Sequence, residues 1–269
     1  MSPDQRWRDP HAAPGARLDL SPAPGAAPFG LQVLAQTRME TRLLLRNGEQ
    51  LLLAIVIPVL ALVGGVAAAG RLDLDLGDQP VDVLTPGVLA LAGLSTAFTS
   101  LAIATGFERR YGLLKRLGAS PLPRHGLLLG KIGAILLVEL VQVVVLGTVG
   151  FALGWQPDAD VPAALLALVL GTAAFGSLGL LLAGAVRAEA TLAIANLVYL
   201  LLLTGGGVVF PTEEYGALGP VLEWLPSGAL GEAMRAALTH GSVDGRSMLV
   251  LLAWAAVAAL LTSRTFRWE

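Results

Sequence analysis

The chain has 269 residues, of which 55% are hydrophobic and only 14% are charged, and its mean hydropathy is +0.70. Soluble domains carry about 25% charged residues, so a soluble enzyme and a disordered chain are both excluded. The net charge of -2 provides no basic excess for binding a nucleic acid. Because the chain has no cysteine, disulfides and thiolate metal sites are excluded as well.

Six apolar stretches approach the length of about 20 residues that a helix needs to cross a bilayer. They lie at residues 51–69, 86–106, 127–153, 162–186, 192–210 and 247–263. Pro86 and Pro162 are expected in the first turns of their helices, where a missing N–H costs nothing. Pro58 predicts a kink inside the first span. The predicted fold class is therefore all-α, a polytopic membrane protein with six transmembrane helices.

Basic residues are distributed unevenly between the two ends of these spans. Fifteen of the 18 lysine and arginine residues lie in the tail, in the segment before the first span, near the even-numbered connections and at the C-terminus. Eleven of the 20 acidic residues lie in the odd-numbered connections. By the positive-inside rule, both termini are cytoplasmic. Residues 1–29, with six prolines, predict a disordered cytoplasmic tail, and residues 30–269 form the six-span domain.

The segment before the first span predicts an amphipathic helix over residues 30–49 that lies along the cytoplasmic membrane surface. Arg38, Arg42 and Arg46 recur every four residues and therefore share one helix face. The residues expected to face largely away from them are Leu31, Leu34, Thr41, Leu44 and Leu45. This helix either only anchors the chain at the membrane or makes a specific contact with a partner protein.

A second basic amphipathic segment follows the second span. Leucines at positions 113, 114 and 117 recur at helical spacing, and Gly118 and Pro121 end the predicted short helix. The charged residues beside these leucines are Glu108, Arg109, Arg110, Lys115 and Arg116. A basic amphipathic loop is by itself typical of a solvated anchor, so any further function depends on its particular sequence.

Two polar residues lie near the middle of the third span. Glu139 and Gln142 are three residues apart and so occupy the same helix face. Burying a carboxyl group at this depth costs a few kcal/mol, so Glu139 should face other helices or a cavity. Its role is either substrate or proton handling, or a hydrogen bond between helices that only fixes their packing.

The fifth span ends in three consecutive glycines, which weaken a helix, and a proline that stops it. The following segment, residues 218–226, is too apolar for a free loop and too short to span a membrane. It predicts an extracellular re-entrant hairpin between spans five and six, followed by a short helix at residues 229–238. The residues expected along the translocation path and its outer gate are Glu139, Gln142, Gly205, Gly206, Gly207, Phe210, Pro211, Trp224 and Pro226.

No catalytic site is expected. His11, His125 and His240 are scattered over the tail and opposite faces, so they cannot form a zinc site. Residues 126–132 are only superficially similar to a P-loop, because three residues separate the glycines and no serine or threonine follows Lys131. We therefore predict that the chain is not an enzyme, binds no metal and hydrolyses no nucleotide by itself.

Two motifs carry a family resemblance. Residues 108–117 read Glu-Arg-Arg-Tyr-Gly-Leu-Leu-Lys-Arg-Leu, and Ser-Pro-Leu-Pro-Arg follows at 120–124. Residues 205–211 read Gly-Gly-Gly-Val-Val-Phe-Pro, and Trp-Leu-Pro and Ala-Met-Arg follow at 224–226 and 233–235. Together they resemble the membrane subunit of type-2 ATP-binding cassette (ABC) exporters, the permease family that includes bacterial drug and antibiotic exporters of the daunorubicin-resistance kind. The chain departs from the family at Leu113, where threonine is usual, and at Lys115, where an acidic residue is common.

The resemblance implies a permease that moves a lipophilic drug, antibiotic or lipid-like substrate out of the cytoplasm across the bacterial plasma membrane. A separate cytoplasmic ATPase subunit would bind ATP and magnesium and would accept the interfacial helix and a coupling helix in a cleft. A second permease copy or homologue and membrane lipids would complete the partners. The implied coupling residues are Glu108, Arg109, Arg110, Gly112, Leu113, Leu114, Lys115, Arg116 and Leu117.

Two other functions remain open. One is a non-transporting membrane scaffold or sensor subunit, for which the broken helix and the hairpin would be packing devices. The other is an ion-coupled carrier that uses Glu139. Such a carrier should show inverted-repeat symmetry, and the segment after span five has no counterpart after span two.

Overall fold

A computed structural model describes residues 27–72, 79–113 and 122–265. The elements are α1 (Phe29–Arg46), α2 (Gly48–Leu72), α3 (Pro80–Leu94), a π-helix (Ser95–Ser100), α4 (Leu101–Arg110), α5 (Arg124–Ala152), α6 (Val161–Ala185), α7 (Ala188–Gly205), a 3-10 helix (Thr212–Leu218), α8 (Gly219–Leu222), α9 (Pro226–Thr239) and α10 (Gly245–Thr265). The described ranges contain no strand, and the all-α prediction is confirmed. Most of the predicted tail lies outside the described residues.

Six helical segments within the described residues are long and apolar enough to cross a membrane. They are Ala54–Arg71, Pro80–Arg110, His125–Ala152, Val161–Ala185, Ala188–Gly205 and Gly245–Thr265. The second of them joins α3, the π-helix and α4. All six predicted spans are confirmed, but the fifth ends at Gly205 rather than at residue 210. The backbone beyond Gly205 leaves the helix because two further glycines follow, one of them with a positive φ.

The second span begins six residues earlier than hydropathy suggested. Pro80 occupies the first turn of α3, and Pro86 lies inside the helix, so the prediction that Pro86 starts it is wrong. An internal proline leaves the carbonyl four residues earlier without its helical donor, which here is the carbonyl of Asp82. The hydroxyl of Thr239 on α9 faces this oxygen at 3.5 Å. The Thr239 hydroxyl on the neighbouring helix thus partly replaces the backbone hydrogen bond that Pro86 removes.

The second span lies at the centre of the bundle. In its most apolar stretch 78% of the residues are buried, against 17% in the first and fifth spans. The element α3 contacts α2, α5, α6 and α9, while α4 contacts α6 and α7. The sixth span, α10, packs along α6, where the Thr262 hydroxyl donates to the Ser177 carbonyl at 3.0 Å. Consequently α2 and α7 lie at the periphery with their apolar sides exposed.

The helix α1 packs against the first turns of α5. Gly130 on α5 permits this close approach, because a Cβ there would collide with Gln36. The buried side of α1 is polar and carries Gln36 and Glu40. Its exposed side carries Leu31, Leu34, Ala35, Arg38, Met39 and Arg42. The prediction that Leu31 and Leu34 face away from the arginines is therefore wrong, because the side that packs against α5 meets a charged partner, Lys131.

Candidate functional site

Three charged side chains meet where α1, α4 and α5 converge. The Nζ of Lys131 lies 3.0 Å from Glu40 Oε1 and 2.7 Å from Glu108 Oε1. The Lys131 side chain is only 4% exposed, and Gln36 Nε2 donates to Glu40 Oε1 at 2.8 Å. Breaking a buried ion pair is strongly destabilising, because it leaves an uncompensated charge. We call Glu40, Glu108 and Lys131 the ionic junction; it fixes α1 and the end of α4 to one point on α5.

Arg109 binds the chain's own backbone. Its guanidinium donates to the carbonyl of Gly184 at 2.7 Å and to that of Val186 at 2.6 Å. These groups lie at the end of α6, so Arg109 satisfies helix-terminal carbonyls that have no partner within the helix. The predicted coupling residues that lie outside the described part of the chain are Leu114, Lys115, Arg116 and Leu117.

A short turn follows α4 next to the ionic junction. Gly112 has a φ of +69°, a conformation that glycine adopts without a steric penalty. Tyr111 and Leu113 on either side are 72% and 40% exposed. Arg110 pairs with Glu189 at the surface. Among the described residues of this turn, Tyr111 and Leu113 thus expose large side chains, while Glu108, Arg109 and Arg110 contact other parts of the same chain.

Glu139 is buried between helices in the middle of the bundle. The hydroxyl of Thr172 lies 2.6 Å from Glu139 Oε2 and 2.8 Å from the carbonyl of Leu168. A hydroxyl has one proton and donates it to one acceptor, so both contacts are hydrogen bonds only if the carboxyl group donates a proton to Thr172. Glu139 Oε1 is buried and has no hydrogen-bond partner among the described residues. The contact with Thr172 joins α5 to α6.

Gln142 is hydrogen-bonded to the proline-containing turn of the first span and to the π-helix of the second span. Its Nε2 lies 2.8 Å from the carbonyl oxygen of Ala54 and 3.0 Å from Thr96 Oγ1. Ala54 is four residues before Pro58, so its carbonyl is the one that the proline deprives of a helical donor. Thr96 belongs to the π-helix. Gln142 therefore lies inside the bundle, bonded to the first and second spans.

An open groove of about 540 Å³ lies between α2, the second span and α7. It is lined by Asn47, Ala54, Ile57, Pro58, Ser95, Thr99, Ser100, Ile103, Ala104, Leu192, Asn196 and Tyr199. Hydroxyl and amide groups thus alternate with aliphatic side chains. This groove was not among the predicted sites, although four hydroxyl residues within Ser95–Ser100 are a visible sequence signal in a span. Neither Glu139 nor Gln142 lines it.

The chain is irregular between α7 and the 3-10 helix. Gly207 has a φ of +68°, and α3 packs on this segment so closely that a Cβ on Gly87 would collide with the carbonyl of Val209. Arg235 on α9 is 6% exposed. Its guanidinium donates to the carbonyl of Gly207 at 3.0 Å and to that of Val208 at 3.2 Å. One buried side chain therefore satisfies carbonyls that the broken helix leaves without helical donors.

Glu232 completes this arrangement. Its Oε1 lies 2.9 Å from Arg235 Nη2 and accepts hydrogen bonds from the Thr212 backbone at 2.8 Å and the Thr212 hydroxyl at 3.0 Å. Burial by itself would raise the pKa of Glu232. The hydrogen bonds and positive charge of Arg235, together with the bonds from Thr212, outweigh burial and hold the pKa below its ordinary value. We call Glu232 and Arg235 the break clamp.

The apolar segment after the break is tied to the sixth span. Trp254 Nε1 on α10 donates to the Trp224 carbonyl at 2.9 Å, and the Arg246 guanidinium carbon lies 5.0 Å from the centre of the Trp224 ring. Trp224 is 61% exposed and Phe210 is 37% exposed, whereas Pro226 is buried. The predicted gate residues therefore occupy one end of the bundle, while Glu139 and Gln142 lie apart from them at its centre.

Four charged residues were not predicted as site residues: Glu40, Lys131, Glu232 and Arg235. A signal existed for Lys131, which lies in an apolar span, and for Arg235, which lies in a short apolar helix. Within residues 27–72, 79–113 and 122–265, no cluster of three or more histidine, aspartate or glutamate residues could hold a metal ion.

Comparison with known protein families supplies the identity that geometry alone does not. A family model for ABC-2 type transporters matches residues 31–239, a range that includes α1, five of the six candidate spans and the break clamp. No curated protein matches the chain. Membrane subunits of this family typically carry no catalytic site and normally work with a cytoplasmic ABC ATPase. The chain belongs to the ABC-2 type transporter family and is a multi-pass transmembrane permease subunit of an ABC-type transporter.

Proposed function

We propose that the chain exports a lipophilic substrate, such as a drug, an antibiotic or a lipid-like molecule, using ATP hydrolysis on a separate subunit. The observation that carries this proposal is the ionic junction. It connects α1 and the end of α4, the two segments that the family resemblance assigns to the ATPase contact, through Lys131 on α5. A partner that displaces either helix must also move α5, because the buried charges resist separation.

The proposed orientation places the ionic junction on the cytoplasmic side of the bacterial plasma membrane. The excess of basic residues near this end supports that orientation. Both termini are then cytoplasmic, and the mixed leucine and arginine side of α1 suits the membrane interface, where apolar side chains enter the lipid and guanidinium groups meet headgroups. ATP and magnesium would be bound on the partner ATPase.

The proposed path for the substrate begins at the groove between α2 and α7. Its volume of about 540 Å³ falls within the range of about 300–1,000 Å³ that is usual for sites of drug-sized ligands. Its mixture of hydroxyl, amide and aliphatic groups suits a lipophilic molecule with a few polar atoms. Because the groove is open and flanked by exposed apolar surfaces of α2 and α7, we propose that a second permease copy covers it.

The outer end of the path is proposed at the broken segment after α7. Its residues 205–211 lie at the opposite end of the bundle from the ionic junction, and the apolar segment with Trp224 follows it. We propose that this segment forms a re-entrant hairpin in the outer leaflet and acts as the exit gate. The predominantly exposed Trp224 ring and its contact with Arg246 support a position at the membrane interface.

The ATPase contact can be tested at the two exposed side chains that follow α4. An affinity-tagged full-length chain is purified from membranes, and the ATP hydrolysis that co-purifies is measured. In the double variant Tyr111→Ala, Leu113→Ser, this activity should fall at least about tenfold. Truncating an important interface side chain costs more than about 1 kcal/mol of binding free energy. Val243→Ser is the matched control, because Val243 is 57% exposed at the other end.

Two results would contradict the ATPase contact: no ATPase activity co-purifies with the wild-type chain, or the double variant retains as much ATPase activity as the wild type.

Export is tested separately in inside-out membrane vesicles that contain the chain and its ATPase. These vesicles should accumulate a lipophilic fluorescent dye or a fluorescent lipid analogue when ATP is added. Equal accumulation with a non-hydrolysable ATP analogue would contradict ATP-driven export.

A further inference from the structure

We infer that Gln142 is a positioning residue that holds the proline-containing turn of α2 and thereby one wall of the groove. This inference deepens the proposed function and, as far as it concerns the substrate, rests on it. Gln142 itself is 2% exposed and lines no part of the groove. Its influence therefore passes through the two spans to which it is bonded.

The hydrogen bond from Gln142 to α2 replaces a backbone hydrogen bond that Pro58 cannot form. In a regular helix the N–H of residue 58 would donate to the carbonyl of Ala54, but Pro58 has no N–H and its ring crowds that carbonyl. Gln142 Nε2 donates to the Ala54 oxygen at 2.8 Å. An unsatisfied carbonyl at this depth would cost several kcal/mol, because lipid supplies no donor. The turn of α2 that contains Pro58 therefore depends on a donor from the third span.

The chemistry of the acceptor fixes the orientation of the amide group. A backbone carbonyl can only accept a hydrogen bond, so the nitrogen of Gln142, and not its oxygen, must face Ala54. The same nitrogen lies 3.0 Å from Thr96 Oγ1, and the hydroxyl of Thr96 lies 3.3 Å from Gln142 Oε1. The amide thus bridges the proline-containing turn of α2 and the π-helix of the second span.

Both bridged elements form walls of the groove. Ala54 and Pro58 contribute from α2, and Ser95, Thr99 and Ser100 contribute from the π-helix. π-Helical segments frequently occur at functional sites. Gln142 lies behind these walls and sets their separation, because it is bonded to one backbone position on the first and one side chain on the second.

A double-mutant cycle on the full-length chain tests this assignment. Gln142→Met keeps the side-chain volume but removes the donor, and it should lower Tm by about 5 °C, the effect of losing one buried hydrogen bond. Pro58→Ala restores a backbone N–H for Ala54. In the Pro58→Ala background, Gln142→Met should therefore cost less than half as much. Thr96→Val is the matched control, because Pro58→Ala cannot replace the contact that it removes.

The shape of the groove provides a second measurement. The chain contains no cysteine, so a single cysteine introduced by Ile103→Cys reports on the groove alone. Gln142→Met should change its rate of labelling by a maleimide at least about fivefold when Pro58 is present, but by less than about twofold in the Pro58→Ala background. Equal effects of Gln142→Met on Tm and labelling in both backgrounds would overturn the assignment.

Export distinguishes this inference from the function on which it rests. ATP-dependent accumulation of the fluorescent dye in vesicles should fall when Gln142→Met is made with Pro58 present, and should fall much less when the same substitution is added to Pro58→Ala. Coupled Tm and labelling effects without any ATP-dependent accumulation by the wild-type chain would contradict the export function and support the role of Gln142 in holding α2. An equal fall in dye accumulation in both backgrounds, with the labelling rate affected only when Pro58 is present, would overturn the link between Gln142 and transport.

Discussion

The guanidinium of Arg235 donates a hydrogen bond to the carbonyl of Gly207 at 3.0 Å, across 28 residues of sequence. A helix that ends inside a protein leaves carbonyl groups that need donors, and here a single cation on α9 supplies them. The conformation of the break after α7 therefore depends on a helix that follows it in the chain. This relationship makes the break a defined structure rather than a flexible loop.

Removing the Arg235 side chain should loosen the break. Arg235→Gln replaces a guanidinium group with five N–H donors by a shorter amide with two. The expected loss is about 2 kcal/mol or more, since the buried carbonyls of Gly207 and Val208 would be left without their present donors. Val208 is fully buried, so a cysteine introduced there by Val208→Cys should react with a maleimide at least about tenfold faster in the Arg235→Gln background. The rate of labelling measures this directly.

Arg246 provides the control for Arg235. It also pairs with a carboxylate near the same segment, but its side chain is 51% exposed, and exposed pairs contribute about 0–1 kcal/mol. Arg246→Gln should leave the labelling of the cysteine at position 208 within about twofold of the wild type. Equal acceleration by both substitutions would contradict the role of Arg235 as a clamp.

The break clamp should make the stability of the protein depend on acidic pH. The folded-state pKa of Glu232 lies below its ordinary value of 4.5, so its ionised form favours the folded state. That contribution is fully present above pH 4.5 and is lost as the pH falls through the lower folded-state pKa. Glu232→Gln should therefore reduce the acid-side fall of Tm, measured in detergent. An unchanged fall in this variant would contradict the assignment.

The ionic junction should be intolerant of losing its lysine alone. Lys131→Met leaves the carboxylates of Glu40 and Glu108 buried without their cation, at an expected cost of about 3–5 kcal/mol. The triple variant Glu40→Gln, Lys131→Met, Glu108→Gln carries no unpaired charge and should be markedly more stable than Lys131→Met. Thermal unfolding and tryptic cleavage within α1 measure the two effects.

Arg110→Met is the control for the ionic junction, because both side chains of the ion pair between Arg110 and Glu189 are exposed. It should change the stability by about 1 kcal/mol or less. If the triple variant is as unstable as Lys131→Met, charge compensation is not what holds α1 against α5. The packing at Gly130 would then be the main contribution.

Glu139→Gln separates packing from proton handling. The amide can donate to Thr172 as a protonated carboxyl group would, so the variant should keep the wild-type Tm to within a few degrees. ATP-dependent dye accumulation should also persist. Loss of transport at normal protein levels would favour the ion-coupled carrier instead. Glu139→Leu is the contrasting variant, because it removes the hydrogen bond and should lower Tm.

The spans were predictable because each depends on a local property, a run of apolar residues of sufficient length. The same local signals located the break, since three glycines weaken any helix. Hydropathy placed the start of the second span at Pro86. The helix begins earlier because it extends beyond the apolar run, where α3 packs against other helices. Pro80, outside the apolar run, supplied the actual first turn.

The ionic junction and the break clamp could not be read from local patterns. Lys131 and Glu40 are 91 positions apart in sequence and meet only because glycines let α1 approach α5. In the basic-residue count, Lys131 was indistinguishable from a surface cation. Arg235 binds backbone carbonyls, which carry no signature in the sequence. Such sites depend on how helices approach one another, which hydropathy does not encode.

The bond between Gln142 and Ala54 also has a consequence for how the protein is made. Its two partners are 88 residues apart, so the first span leaves the ribosome well before its donor has been synthesised. During insertion the carbonyl of Ala54 must remain in contact with water or with the insertion machinery until the third span arrives. The third span therefore completes the hydrogen bonding of the first, and the proline-containing turn of α2 is fully bonded only once both spans are present.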